Sequence, residues 1–234
     1  MSSRQNGASR PRLLDLFCGA GGAAMGYHRA GFDVVGVDIA PQPNYCGDAA
    51  FIQADALVCL RGLAMAHEKG WAPEFDAIHA SPPCQSYSTL NAYNHKDYPD
   101  LVGKVRELLI ATGLPYVIEN VPQAPLRDPI MLCGSMFGLR VYRHRLFESS
   151  APLVVPAHPV HAARCVRNGY LPTLDQFMTI SGGKHSRAWQ ARAAEVMGVP
   201  WTRTIREVCE AIPPAYTEHV GRQLIDVLTL ELAA

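Results

Sequence analysis

Long apolar runs are missing from this 234-residue sequence. Runs such as Ala77–Ala80 and Leu108–Ala111 stop far short of the ~18 residues that a helical membrane span requires, so a soluble protein is expected. An excess of one charge sign is missing too. With 21 Lys+Arg against 21 Asp+Glu, whole-chain electrostatics gives no support for a nucleic-acid partner. Residues 1–12 are polar and carry Arg4, Arg10 and Arg12 with no apolar segment behind them. They read as a loose arm over residues 1–11 with no secretory signal. Seven cysteines are an odd number, and without an export signal they point to free thiols in a reducing cytoplasm over a disulfide framework. Internal repeats and low-complexity tracts are absent.

What is present is a globular composition. Hydrophobic residues make up 48% of the chain, which excludes a disordered protein and suffices for one large domain or one domain with a small appendage. Charge is also unevenly placed. Between Arg140 and Arg206 ten basic residues face three acids, leaving 11 basic against 18 acidic elsewhere. A basic third on an acidic body suits a protein that holds a polyanion over one face.

Short apolar runs bounded by Gly, Pro or Asp alternate with helix-like stretches through the first 120 residues, as expected of βα units feeding a parallel sheet. Strands are predicted at Leu13–Phe17, Val34–Val37, Phe51–Ala54, Asp76–Ala80 and Tyr116–Glu119, with helices at Ala23–Ala30, Ala56–Lys69 and Leu101–Thr112. Ser81–Pro99 is a long polar loop at a strand end, where function gathers. After Glu148 the rhythm fails at Pro152, Pro156, Pro159 and Pro172, and helical spacing returns at Ser186–Met197, Thr204–Ala211 and Tyr216–Leu232. The expected division is an α/β catalytic domain over 12–148 with a doubly wound, mostly parallel sheet, a small irregular region over 149–198, and C-terminal helices over 199–234 packing back on the first domain.

Three strand ends carry chemistry. The first runs into Asp15-Leu16-Phe17-Cys18-Gly19-Ala20-Gly21-Gly22, a Gly-rich turn opening a helix, and the second ends at Asp38. Backbone without side chains can approach a ligand, and an acid at that position can accept from ribose hydroxyls, so a nucleoside cofactor is expected: NAD, FAD or S-adenosylmethionine. The fourth strand delivers Ser81-Pro82-Pro83-Cys84-Gln85, with two prolines stiffening the chain before a thiol placed like a nucleophile. The fifth ends in Glu119-Asn120-Val121-Pro122, which offers an acid/base carboxyl beside Cys84.

These segments, together with Arg143-His144-Arg145 followed by Phe147, resemble the DNA cytosine-5 methyltransferases. The resemblance covers most of residues 12–148 and returns at Thr204-x-x-Glu207 and at Ala211–Gly221. It implies a Rossmann-like fold holding S-adenosylmethionine, and double-stranded DNA from which a cytosine is flipped out to meet the thiol. It further implies that Cys84 adds to C6 of the base, that Glu119 stabilises the charge growing on the ring, and that Arg145 holds the O2 carbonyl while Arg143 supports the loop or a phosphate. On the cofactor side Phe17 would stack near the adenine, Asp38 would take the ribose hydroxyls and Asp55 the adenine amine, with Gly19 and Gly21 making room for the methionine moiety. Two departures stand out: Val141 replaces the family's usual Gln, and Gly221-Arg222-Gln223-Leu224 replaces Gly-Asn-Ser-Val. The region available for target recognition is only about fifty residues. Reading of the target should therefore be short, loose or assisted by a partner subunit, as in compact enzymes of phages and restriction-modification systems.

Rival readings are C5 methylation of tRNA, single-stranded DNA or a free pyrimidine nucleotide, a DNA-binding relative without turnover, and a nicotinamide oxidoreductase. His158-x-x-His161-x-x-x-Cys165 has zinc-ligand types, but no fourth ligand is evident and no metal is assigned. Lys184, Arg187 and Arg192 suit phosphate contacts. Tyr170 or Trp189 suits wedging or stacking on bases, with core packing the favoured role for Trp189.

Overall fold

The structure is a computed structural model that describes residues 10–46, 49–87, 100–173 and 175–233. Seven strands form one sheet: β1 (Arg12–Leu16), β2 (Asp33–Asp38), β3 (Ala50–Gln53), β4 (Ala77–Ala80), β5 (Tyr116–Asn120), β6 (Ile130–Leu132) and β7 (Arg145–Ser149). The helices are α1 (Gly22–Ala30), α2 (Ala56–Glu68), α3 (Val102–Ala111), α4 (Arg187–Met197), α5 (Ile205–Glu210) and α6 (Pro214–Ala233). The order across the sheet is β3-β2-β1-β4-β5-β7-β6. β3 through β5 are parallel, and β7 runs antiparallel to both of its neighbours. The expected doubly wound α/β sheet is present, extended by two strands that were not anticipated. β6 has three residues, and β7 shows only Leu146 and Phe147 between polar ends, too little apolar signal to read as a strand.

Alternation across the pleat builds two cores. Leu13, Val34, Ala77 and Val117 face α1 and α6, where Tyr27, Tyr216 and Leu224 are buried. Leu14, Val35, Ile78 and Ile118 face α2 and α3, where Leu60, Val105 and Leu109 are buried. α6 lies hard against α1, since a methyl group at Gly26 would stand 2.0 Å from Thr217 Oγ1. A third core joins Val141 and Met178 to Trp189, Met197, Val199 and Val208. Trp189 is fully buried, as expected. The predicted boundary at residue 198 therefore cuts through a core, because Val199 and α5 share the apolar interior of α4.

β1 and β4 are neighbours whose crossovers run in opposite directions along the sheet. Their carboxyl ends consequently open a crevice at the switch point, where ligands bind in such sheets. Residues 12–16 and 77–80 are thus placed by topology to deliver the Gly-rich turn and the Cys84 loop to one cleft.

Candidate active site

That cleft has a volume of about 440 Å³ and is walled by Phe17, Gly19, Asp38, Cys84, Glu119 and Arg145, all from the predicted set. Asp15, Ile39, Asn120 and Thr204 also line it.

At the cofactor end the chain turns sharply after β1. Phe17 sits at φ 58, a left-handed conformation that costs a non-glycine residue roughly 1–2 kcal/mol. The turn is held by Cys18 N–H donating to Val37 O (3.1 Å) and Gly19 N–H donating to Asp38 Oδ2 (3.0 Å). Asp38 Oδ1 accepts from Ala40 N–H at 2.9 Å. At Gly19 (φ +50) an added methyl group would meet nothing within 4 Å, so the space beside it is an open cradle. Gly21 differs from expectation: its missing side chain makes room for Cys46 Sγ, 2.5 Å from where a Cβ would stand, and for Tyr45. Its absent side chain serves packing, not a ligand. Asp55 also has a structural task. Its Oδ1 caps α2 by accepting from Leu57 N–H (2.7 Å) and Val58 N–H (3.2 Å), and its side chain is exposed.

Asp15, which sequence reading quoted without a role, lies fully buried at the cleft floor with no well-formed hydrogen bond to either carboxylate oxygen. Burial pushes its pKa well up, only partly opposed by the Ala24 amide, with Asp38 and Glu119 adding to the rise. An uncompensated buried carboxylate is costly unless a cation or donor meets it. Ile39, also missed, is an exposed apolar side chain on the same wall.

At the other end Cys84 follows Pro82-Pro83 and is half-buried. Asn120 Nδ2 donates to Pro82 O at 2.9 Å and pins this loop to the end of β5. Burial pushes the Cys84 thiol up, Arg145 is the strongest opposing influence, Glu119 raises it and Arg143 lowers it. Glu119 pairs with Phe147 in the β5–β7 register, so Arg145, two residues away on β7, projects on the same face. Arg145 Nε lies 2.9 Å from Glu119 Oε1. The approach is off the hydrogen-bond line, and Oε1 keeps its acceptor capacity. Burial is the largest influence on Glu119 and raises its pKa, against the lowering effects of Arg145, Arg143 and a Ser81 hydrogen bond.

Behind Glu119 runs a buried polar chain that sequence reading did not find. Tyr27 Oη is 2.9 Å from His79 Nδ1, and His79 Nε2 is 2.8 Å from Ser81 Oγ. Burial pushes His79 down to about 3, so the ring is neutral at physiological pH. Each of these residues lies inside an apolar-looking stretch of sequence, where a buried polar group leaves no periodic signal.

Arg143 does not face a phosphate. It is buried, donating from Nη1 to Ile180 O (3.2 Å) and from Nη2 to Cys209 O (2.5 Å), and its own carbonyl accepts from Tyr216 Oη at 2.5 Å. These bonds engage its guanidinium with the backbone at Ile180 and Cys209. Val141, where the family's Gln was expected, is fully buried in the third core. Arg192 is paired with Glu195 at 2.9 Å; Lys184, Arg187 and Tyr170 are exposed. Trp201 Nε1 donates to Ala20 O, and Asn44 Nδ2 to Glu207 Oε1, each at 2.8 Å. These two bonds fasten the segment leading into α5 to the cofactor end. His158 and His161 come together, but Cys165 is elsewhere, bridged to Phe177. Residues 88–99 of the predicted loop lie outside the described residues.

Residues 12–123 match the family model for C-5 cytosine-specific DNA methylases. Over these residues, just under half of the chain, the sequence is similar to the DNA cytosine-5 methyltransferase family. The chain is 29% identical to the type II methyltransferase M.AquIA of Picosynechococcus sp., covering 87% of this chain and 90% of that protein. It is 25% identical to M.XorII of Xanthomonas oryzae pv. oryzae, covering 93% of this chain but only 45% of the relative. Among solved structures, one described as a DNA modification methyltransferase encoded within an E. coli prophage superposes with a TM-score of 0.61 at 16% identity, covering 94% and 99% of the two chains. The Dnmt2 methyltransferase of S. pombe gives 0.52 at 14% identity over 96% and 100%. At such identities these two likenesses establish the methyltransferase fold alone. No helix among the described residues is long and apolar enough to cross a membrane.

Proposed function

We propose that this protein transfers a methyl group from S-adenosylmethionine to C5 of cytosine in DNA through a covalent adduct at Cys84. The observation that carries the reading is the convergence of Cys84, Glu119 and Arg145 on one end of a cleft whose other end is the Gly19 cradle and Asp38.

The cofactor end fits the nucleoside. Asp38 would take the ribose hydroxyls, Phe17 and Ile39 offer apolar surface to the adenine, and Asp55 would reach the adenine amine with the oxygen that does not cap α2. The open space at Gly19 and the unmatched carboxylate of Asp15 suit a methionine moiety bearing an ammonium group. S-adenosylmethionine bound there supplies an electrophilic methyl group.

At the other end the Cys84 thiolate adds to C6 of the flipped base, forming a C–S bond and placing an electron pair at C5. Glu119, whose pKa burial raises, would in its protonated form donate towards N3 and accept from the exocyclic amine through Oε1. Its hydrogen bond to N3 stabilises the anion as it forms. Arg145 holds O2. Once C5 has taken the methyl group, with the sulfonium leaving as the neutral thioether, the C5 proton passes to water, its electron pair restores the C5–C6 double bond, the C–S bond breaks and Cys84 is released as a thiolate. Exposed Lys184 and Arg187 would contact phosphates.

Duplex oligonucleotides containing 5-fluorocytosine test the reading, because fluorine at C5 blocks the elimination that frees the enzyme. With labelled S-adenosylmethionine the wild-type chain should form a denaturant-resistant adduct, Cys18→Ser should retain some and Cys84→Ser should form none. Equal trapping by the Cys84 variant, or no trapping by the wild type, overturns it.

A further inference from the structure

Four potential ligands from three separate segments meet on the far side of the Arg143-His144-Arg145 loop. Cys133 follows β6, His144 lies between the two arginines, and His158 and His161 belong to the proline-rich stretch after β7. Their ligating atoms all lie within 4.8 Å of one another. Cys133 Sγ is 3.4 Å from His161 Nε2, which is 3.2 Å from His158 Nε2. A tetrahedral zinc ion with ordinary Zn–N and Zn–S bonds has edges of about 3.3 Å between two nitrogens and about 3.6 Å between nitrogen and sulfur. The Cys133–His161 and His161–His158 separations lie close to those edges, and the whole set falls within 4.8 Å.

Hydrogen bonding accounts for the cluster less well. Nε2 of His161 carries either one lone pair or one N–H, yet it faces both the thiol and a second imidazole, and a single site cannot serve both well. A cation shared by lone pairs satisfies every atom at once. The surroundings also hold the rings in place. Tyr142 stacks on His161 at 3.7 Å, its Oη donates to Ala163 O and accepts from Ala163 N–H (3.1 Å each), and Ser135 Oγ donates to Cys133 Sγ at 3.3 Å. Polar groups that fix a ligand's orientation accompany metal centres.

We infer that Cys133, His144, His158 and His161 bind one zinc ion. Four protein ligands close the coordination sphere, so the ion is structural and takes no part in methyl transfer. It ties residues 158–161 to the end of β6 and to the loop that presents Arg145. That is a staple across a stretch with little periodic secondary structure of its own, and Cys165 has no share in it.

The test uses the full chain without an affinity tag, produced with zinc in the medium. Elemental analysis should find close to one zinc per chain in the wild type and in Cys165→Ser, and at least tenfold less in Cys133→Ser and His161→Ala. Replacing zinc by Co²⁺ should give the visible bands of a tetrahedral site together with a thiolate-to-cobalt charge-transfer band, which Cys133→Ser abolishes. Should Cys133→Ser fail to fold, the exposed position 158 carries the test: His158→Cys should keep the cobalt and strengthen the charge-transfer band by adding a second thiolate. A wild-type chain without zinc and without cobalt bands overturns the assignment. So does metal content unchanged in both the Cys133 and His161 variants, or a His158→Cys spectrum identical to that of the wild type.

Discussion

Arg145 Nε stands 2.9 Å from Glu119 Oε1 across the β5–β7 pairing, on diagonal positions of one sheet face. The pair is a product of strand direction. Only an antiparallel β7 brings the first residue of that strand to the end of β5 where Glu119 lies. Glu119→Gln preserves the shape but cannot supply the proposed proton, so methyl transfer should fall by about 10²–10³-fold with little change in S-adenosylmethionine affinity. Labelled-methyl kinetics and calorimetry measure the two separately, and equal loss in both would argue against the electrostatic role.

Cys84 should be a slow thiol at neutral pH. Burial raises its pKa and Arg145 is the chief influence holding it down. A raised pKa leaves less thiolate at a given pH, so alkylation of Cys84 by iodoacetamide should accelerate as pH rises past the ordinary thiol range. In Arg145→Ala the rise should move to still higher pH. Mass spectrometry of the Cys84 peptide reads both curves, and coincident curves would remove Arg145 from the electrostatics of the thiol.

Asp15 should carry a stability cost that function requires. Its folded-state pKa is raised, so the folded chain binds the extra proton. Stability from this group is then present below the unfolded carboxyl value and is lost as pH rises through the folded one. Asp15→Asn should therefore melt higher than wild type at pH 8, by roughly 2–4 °C for each kcal/mol recovered, and the difference should close in acid. Its affinity for S-adenosylmethionine should drop. Scanning calorimetry at two pH values and a binding titration check the pair of effects.

Glu148 offers the opposite case. Arg106 donates to it from Nε (2.6 Å) and Nη2 (2.7 Å) in a buried pair, and Arg127 N–H donates to Oε2 at 2.8 Å from a more exposed position. Glu148→Gln leaves the Arg106 charge without its partner and should cost about 3–5 kcal/mol by denaturant titration. A loss under 1 kcal/mol would mean that water reaches the pair.

Asp55 separates a cap from a contact. Asp55→Ala should lose about 0.5–2 kcal/mol through α2, whereas Asp55→Asn keeps an acceptor for Leu57 and Val58 N–H and should stay within about 0.5 kcal/mol of wild type. Any fall in S-adenosylmethionine affinity in the Asn variant then reports the carboxylate itself.

By itself the order of residues determined the parallel half of the sheet, the Gly-rich turn, and Cys84 and Glu119 at strand ends. Those depend on short-range signals: apolar runs with a regular period, and glycine or proline at their ends. Tertiary structure alone decided the rest. Whether Gly21 faces a ligand or Cys46 depends on a residue 25 positions away, and Arg143 found backbone carbonyls in place of a phosphate because the third core closes over it. β6 and β7 are strands chiefly because β5 offers them an edge. The further potential ligands that His158 and His161 lacked nearby in sequence are Cys133, just after β6, and His144, just before β7, where no local spacing could announce them. Burial, partner and direction are properties of the packed chain, since each depends on which distant segment fills the space beside a side chain.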